Sequence, residues 1–179
     1  QPAALEGINL ELYIAGNSAD GLAKLAGVAA PKLGAFQLRT KLTEEGGKYI
    51  FDSVAGKLGG SDVTGKVELD RSVTPPVINA GLASSHLDLA DFGIKADASS
   101  PGAGDGRVFS AAPWDFTALK AIDGQVRINI QQFVAGKTVL NNVVGEFGLK
   151  SGLLKVTSLT ADLGDGSVAL AANVNAAEN

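Results

Sequence analysis

The chain has 179 residues, a formal charge of −4 from 15 Lys and Arg against 19 Asp and Glu, one His and no Cys. That length suits one domain, or a slice of a longer repetitive one, burying about two-thirds of its unfolded surface, and the charge excludes both the basic footprint of a nucleic-acid binder and a polybasic patch for anionic headgroups. The lack of Cys excludes disulfides, thiol catalysis and Cys-based metal sites, and no apolar run approaches the ~20 residues of a membrane helix. No signal-peptide pattern is present, and because the sequence opens on Gln1 rather than Met it is expected to be an excised or processed piece whose targeting segment lies outside it.

In chain order, Ile8, Leu10, Leu12 and Ile14 alternate with Asn9, Glu11 and Tyr13, which predicts a half-buried strand over Gly7 to Ala15. Asn17 or Ser18 can cap a short helix over about 17–29, with Asp20 in its first turn, Leu22, Leu25, Ala26 and Ala29 at helical spacing, and Pro31 as its stop. Gly21 and Gly27 weaken that helix, so it needs tertiary packing to persist. Phe36, Leu38 and Leu42 against Gln37, Arg39 and Lys41 give the next strand, which turns at Gly46-Gly47 into a hairpin ending at Asp70. Pro75-Pro76 marks the start of a strand carrying Ile78, Ala80 and Leu82, continued or bent through Leu87 and Leu89.

Residues 97–107, DASSPGAGDGR, form a loop by composition. Pro113 then opens a second short helix over about 113–122, with Phe116, Leu119 and Ile122 on one face and Asp123-Gly124 as its stop. Val126, Ile128 and Ile130 alternate with Arg127, Asn129 and Gln131, and Val143, Phe147 and Leu149 lead into a second hairpin. The predicted fold is therefore mainly β: a curved antiparallel sheet of about nine strands built from two repeated hairpin units, with two short helices. A single module over 1–179 is expected, with a first unit 1–96, the loop 97–107 and a second unit 108–179.

The two hairpins are copies. Gly47 to Asp70 superposes without a gap on Gly152 to Asn175: Tyr49 falls on Leu154, Phe51 on Val156, Ser53 on Ser158, Val54 on Leu159, Leu58 on Leu163, Gly59 on Gly164, Val63 on Val168 and Leu69 on Val174. In both copies the apolar parity slips by one residue near Ser53 and Ser158, which predicts a β-bulge and a bent strand at each place. Gly59-Gly60 and Asp165-Gly166 are the expected hairpin turns.

Chemistry-bearing constellations are missing. His86 is the only imidazole, so no triad, dyad or zinc set can be assembled, and it reads as an exposed strand residue. Asp88, Asp91, Asp97 and Asp105 match no EF-hand spacing and read as solvated turn residues. The glycines from Gly102 to Gly106 do not carry the strand–turn–helix context of a dinucleotide fingerprint, and Trp114-Asp115 has no propeller period, so Trp114 is expected to anchor the second helix to the sheet. The expectation is a protein with no catalytic residues, no cofactor and no metal.

The succession KLGAFQLRTKL, YIFDSVAGKLGGSDVTGKVELD, NAGLASSHLDLADFG, RVFSAAPWDFTALKAIDGQVRINI and LKSGLLKVTSLTADLGDGSVALAANV resembles the C-terminal region of bacterial AsmA-family proteins, in order and over nearly the whole chain. The resemblance implies a periplasmic, β-rich body of a protein anchored in the inner membrane, related to bridge-like lipid-transfer proteins and serving outer-membrane biogenesis. It implies acyl-chain lipids such as phospholipids as partners, and contact with the membrane only through a segment outside this chain.

Residue patterning alone leaves two readings open. A sheet with one greasy face must bury it against helices, against itself or against lipid; the mean hydropathy of +0.17 marks that face as unusually large for a soluble β protein. In the groove reading, Phe36, Leu38, Leu42, Phe51, Val63, Val67, Leu69, Leu82, Val156, Val168 and Leu170 line a lipid site. In the alternative, the helices and sheet closure cover the face, and the chain is a structural or protein-docking β-domain whose edge strands, Gly7 to Ala15 or Ser167 to Asn175, pair with other envelope proteins. An enzyme acting on envelope lipids or glycans is a third class, disfavoured by the missing acid/base groups.

Overall fold

The computed structural model describes residues 7–18, 34–93 and 121–175. They form nine strands: β1 (Asn9–Gly16), β2 (Phe36–Glu45), β3 (Lys48–Leu58), β4 (Ser61–Asp70), β5 (Val77–Asp88), β6 (Asp123–Ala135), β7 (Thr138–Lys150), β8 (Leu153–Leu163) and β9 (Gly166–Asn175). The strands lie side by side in one open sheet in the order of the sequence, so β1 and β9 are its edges. The mainly β expectation and the strand count hold.

Two parts of the expected architecture need correction. The sheet is mixed rather than antiparallel: β5 and β6 run parallel, from Val77 opposite Asp123 to Asp88 opposite Val134. Tight turns link most neighbours, but the chain leaving Asp88 comes back to the starting end of β5 before pairing again, and a parallel neighbour requires such a crossover. The short helices expected over about 17–29 and 113–122 fall on residues outside the described ones, except for Asn17, Ser18, Ala121 and Ile122, none of which is helical. Among the described residues the only helical element is one 3-10 turn, Leu89–Phe92, and none of them forms an α-helix over the sheet.

The internal repeat is visible in the register. Between β3 and β4 the pairing slips between Phe51 and Val54, and between β8 and β9 it slips between Val156 and Leu159. These are the equivalent places at which the sequence changes parity, and Ser53 takes a φ of 53 there. Thr40 is nearly fully buried beside the first bulge and donates its hydroxyl to the Asp52 carbonyl at 3.0 Å, which satisfies an acceptor in the disrupted ladder. The second hairpin turns at Gly164-Asp165, one residue earlier than expected, which makes it the strict counterpart of Gly59-Gly60.

Following the register from strand to strand places most of the apolar side chains on one face of all nine. Leu12 lies opposite Thr40, Leu42 opposite Phe51, Phe51 opposite Val67, Val67 opposite Ala80, Ala80 opposite Val126, Val126 opposite Phe147, Phe147 opposite Val156 and Val156 opposite Ala172. The other face carries Arg39, Lys41, Asp62, Lys66, Glu68, Arg127, Glu146 and Lys155. A period of two thus separates a mainly dry side from a mainly wet one, with Ile50, Val144 and Leu153 as apolar residues on the wet side.

Carboxylates close the ends of this sheet. Glu44, 5% exposed, accepts the amides of Gly7 at 3.0 Å and Gly47 at 2.9 Å. Asp91 in the 3-10 turn accepts from the amides of Gly60 and Ser61 and from the Ser61 hydroxyl at 2.6 Å, tying the end of β5 back to the first hairpin turn. Burial pushes the Asp62 carboxyl up, but the Ser85 and His86 amides and the Ser84 hydroxyl outweigh it and hold the group below its ordinary value. Asp123 is also held down, first by the Lys150 ammonium at 2.8 Å and then by the Ser151 amide at 2.7 Å.

Candidate functional site

The apolar face is only thinly buried. Ile130, Val143 and Ala161 are the buried hydrophobic residues among those described, with Leu87, Ile128, Phe133, Leu140 and Leu159 packed partly against them. All three lie on β6 to β8. No second layer of described residues sits on this face, so among the described residues its apolar side chains have one another as neighbours within the sheet.

Over β6 to β9 the face sinks into a hollow of ≈ 310 Å³, lined by Ile128, Ile130, Phe133, Leu140, Val143, Phe147, Leu159, Ala161, Val168 and Leu170. Every one of these residues is apolar. A second depression of ≈ 210 Å³ adjoins it, where Ile78, Val126, Leu149 and Leu154 meet the same Phe147. Phe147 therefore stands between the two, and its place follows from a neighbour in its own strand. A Cβ on Gly145 would lie 2.7 Å from the Phe147 ring and 3.0 Å from Ile128, so a glycine is what lets the ring lie back against the sheet.

Of the eleven residues expected to line a groove, the structure brings Val168 and Leu170 into the hollow, where they are 50% and 49% exposed. Val156 stands opposite Phe147 and next to the hollow. Phe36, Leu38, Leu42, Phe51, Val63, Val67, Leu69 and Leu82 occupy the same face on β2 to β5, outside the hollow but continuous with it by register. Sequence reasoning missed Ile128, Ile130, Phe133, Leu140, Val143, Phe147, Leu159 and Ala161 as lining residues. For Phe133 and Leu140 the signal is obscured by parity changes near Gln131 and at Asn142, whose φ is 52 and beside which the β7–β8 register slips; the others read as strand residues and not as a lining.

A larger depression of ≈ 520 Å³ lies on the wet face between Lys66, Glu68, Asn79, Gln125 and Arg127, over Gly81. Its two cations are already matched: Lys66 pairs with Glu68 at 2.7 Å and Arg127 with Glu146 at 3.1 Å. An anion there would have to displace a carboxylate from each, in a solvated setting where such pairs are weak, so no anion site is built.

The polar residues singled out earlier prove structural where they are described. His86 is half-buried rather than exposed, with its Nδ1 2.9 Å from Gln132 Oε1 across the parallel pair. Asp88 and Asp91 are not solvated turn residues: Asp88 Oδ1 accepts the Ala90 amide at 2.9 Å, and Asp91 closes the first hairpin. Asp97, Asp105, the glycines from Gly102 to Gly106 and Trp114 lie outside the described residues. Among the described residues no three His, Asp or Glu converge as a metal site, and no helix is long and apolar enough to cross a membrane. No protein-family model, curated protein or solved structure matches the chain.

Proposed function

We propose that this chain is a non-enzymatic lipid-handling module of a bacterial envelope, the periplasmic part of an inner-membrane-anchored protein, in which acyl chains of phospholipid lie along the apolar face of a bowed sheet. The observation that carries the reading is the wholly apolar hollow on a face with no described layer above it. The ordered resemblance of the sequence to AsmA-family proteins supports the envelope setting and the lipid class.

Magnitudes decide how much of the face is used. A volume of ≈ 310 Å³ is at the small end of the roughly 300–1,000 Å³ found for ligand pockets, so the hollow takes a segment of one chain rather than a whole lipid. Six methylenes buried there contribute about 5 kcal/mol at ~0.8 each, near the lower bound of the ~4–15 kcal/mol cost of immobilising a ligand. Stable retention therefore needs the chain to continue from the hollow past Phe147 towards Val67 and Phe51, across the junction of the two units.

The test is native mass spectrometry with lipid extraction on protein expressed in a bacterial envelope. Phospholipid is expected to co-purify with the wild type, to fall at least tenfold with Leu170→Asp, whose side chain is half exposed and tolerates charge without unfolding, and to fall also with Phe51→Asp. A lipid-free wild type, or lipid retained by both variants while circular dichroism shows an intact sheet, overturns the reading. The two open sheet edges favour a second reading as a docking β-domain, in which no preparation carries lipid.

A further inference from the structure

We infer that β9 is a self-association edge: two copies of the chain pair β9 against β9, antiparallel, about a two-fold axis through Ala171, and join their apolar faces into one continuous face. This goes beyond the lipid reading and does not depend on it.

An exposed strand edge presents unpaired backbone groups, and native proteins ordinarily blunt it with charges, Pro or bulges that turn it away. β9, GSVALAANVN, has no charged residue and no Pro along its length, and among the described residues no strand lies on its outer side. The opposite edge, β1, is less bare, since it carries Glu11 and its Tyr13 ring lies under the Arg39 guanidinium, 5.7 Å away.

The internal repeat shows which neighbour β9 will not take. Its counterpart β4 is covered by β5, and that contact is made over Gly65, where a Cβ would lie 2.0 Å from the Gly81 carbonyl oxygen. The residue equivalent to Gly65 in β9 is Leu170, whose side chain forbids the same approach. A strand seated as β5 is seated on β4 is thus excluded, and a regularly paired neighbour is required.

β9 itself meets that requirement. Paired about Ala171, Val168 faces Val174 of the second copy, Leu170 faces Ala172 and Ala169 faces Asn173, so apolar meets apolar on one face and no like charges meet on the other. A slip by one residue would set the two patterns against each other. A two-fold axis perpendicular to the sheet keeps both apolar faces on the same side. It also brings the second copy's Ala172 and Val174 against Leu170 and Val168, the rim of the hollow, which is then walled where a single copy leaves it open.

Sedimentation velocity on the full chain over a range of concentrations tests this. The wild type is expected to form dimers. Ala171 lies on the wet face at the axis, where directly opposed Cβ atoms are about 5 Å apart, so Ala171→Lys and Ala171→Glu should each weaken the dimer by roughly two- to fivefold through like-charge opposition, and an equimolar mixture of the two should restore it as a heterodimer. A wild type that stays monomeric overturns the proposal. So does a dimer indifferent to both charges, or a mixture that fails to recover.

Discussion

The hairpin β3–β4 and the hairpin β8–β9 share a bulge, a turn and an apolar face, yet one lies inside the sheet and the other at its rim. The difference concentrates at a single pair of equivalent positions. Gly65 in the inner copy sits under the backbone of β5, with φ of 144 and no room for a side chain, whereas Leu170 in the outer copy stands half exposed over the hollow. One supersecondary unit thus serves as a joint where glycine admits a neighbouring strand, and as a lining where leucine adds apolar surface. Sequence identity between the copies matters less than which of them keeps a side chain at this position.

The sharpest way to break the comparison is to exchange that property. Gly65→Ala should destabilise the fold by at least about 3 kcal/mol, because the new Cβ meets backbone rather than a movable side chain and the backbone stands in a region that L residues avoid. Leu170→Ala at the equivalent place should cost no more than about 1 kcal/mol, since half its surface is already in water. Urea unfolding of both variants measures the contrast, and equal losses would refute the assignment of joint and lining. A second comparison sets the second unit's buried cluster against the first unit's edge. Ile130→Ala should cost about 2–3 kcal/mol, and Leu10→Ala on β1, 40% exposed, less than about 1 kcal/mol, as judged by midpoints of denaturant unfolding.

The smallest expected effect is electrostatic. The Asp123 carboxyl is held below its ordinary value of 3.8 by Lys150 and the Ser151 amide. A depressed folded-state value means that this contribution is fully present above the ordinary value and is lost as pH falls through it and on through the lower folded one. Asp123→Asn should therefore flatten the acid limb of the stability profile from the ordinary value of 3.8 downwards while changing its slope little near neutrality. An unchanged acid limb would show that the ion pair at the start of β6 does not contribute.

Much of this was legible in the sequence, for identifiable reasons. Alternation at Ile8 to Ile14 and at Val63 to Leu69 gives strands because side-chain direction repeats every two residues, and the parity slips at Ser53 and Ser158 give the bulges because an extra residue has no other place in a ladder. The parallel pairing of β5 with β6 was not legible, because alternation states which face a residue takes and nothing of the direction its strand runs. The hollow was legible only at its rim: Val168 and Leu170 follow the simple period, while Phe133 and Leu140 do not, since the chain changes parity between Ile130 and Phe133 and again between Leu140 and Val143. Asp91 was hidden for another reason, as its partners Gly60 and Ser61 are far away along the chain and only the fold brings them within reach.

The sequential strand order sets the route by which this sheet assembles. Antiparallel neighbours joined at Gly46-Gly47, Gly59-Gly60, Gly136-Lys137, Ser151-Gly152 and Gly164-Asp165 close only short loops, so each group of strands can zip up outward from its own corners. The Val77-to-Asp123 contact has no such corner and must await the return of the intervening chain. The seam between the two groups is then the rate-limiting event of folding, and pulse-labelled hydrogen exchange should find β7 and β8 amides protected before those shared by β5 and β6.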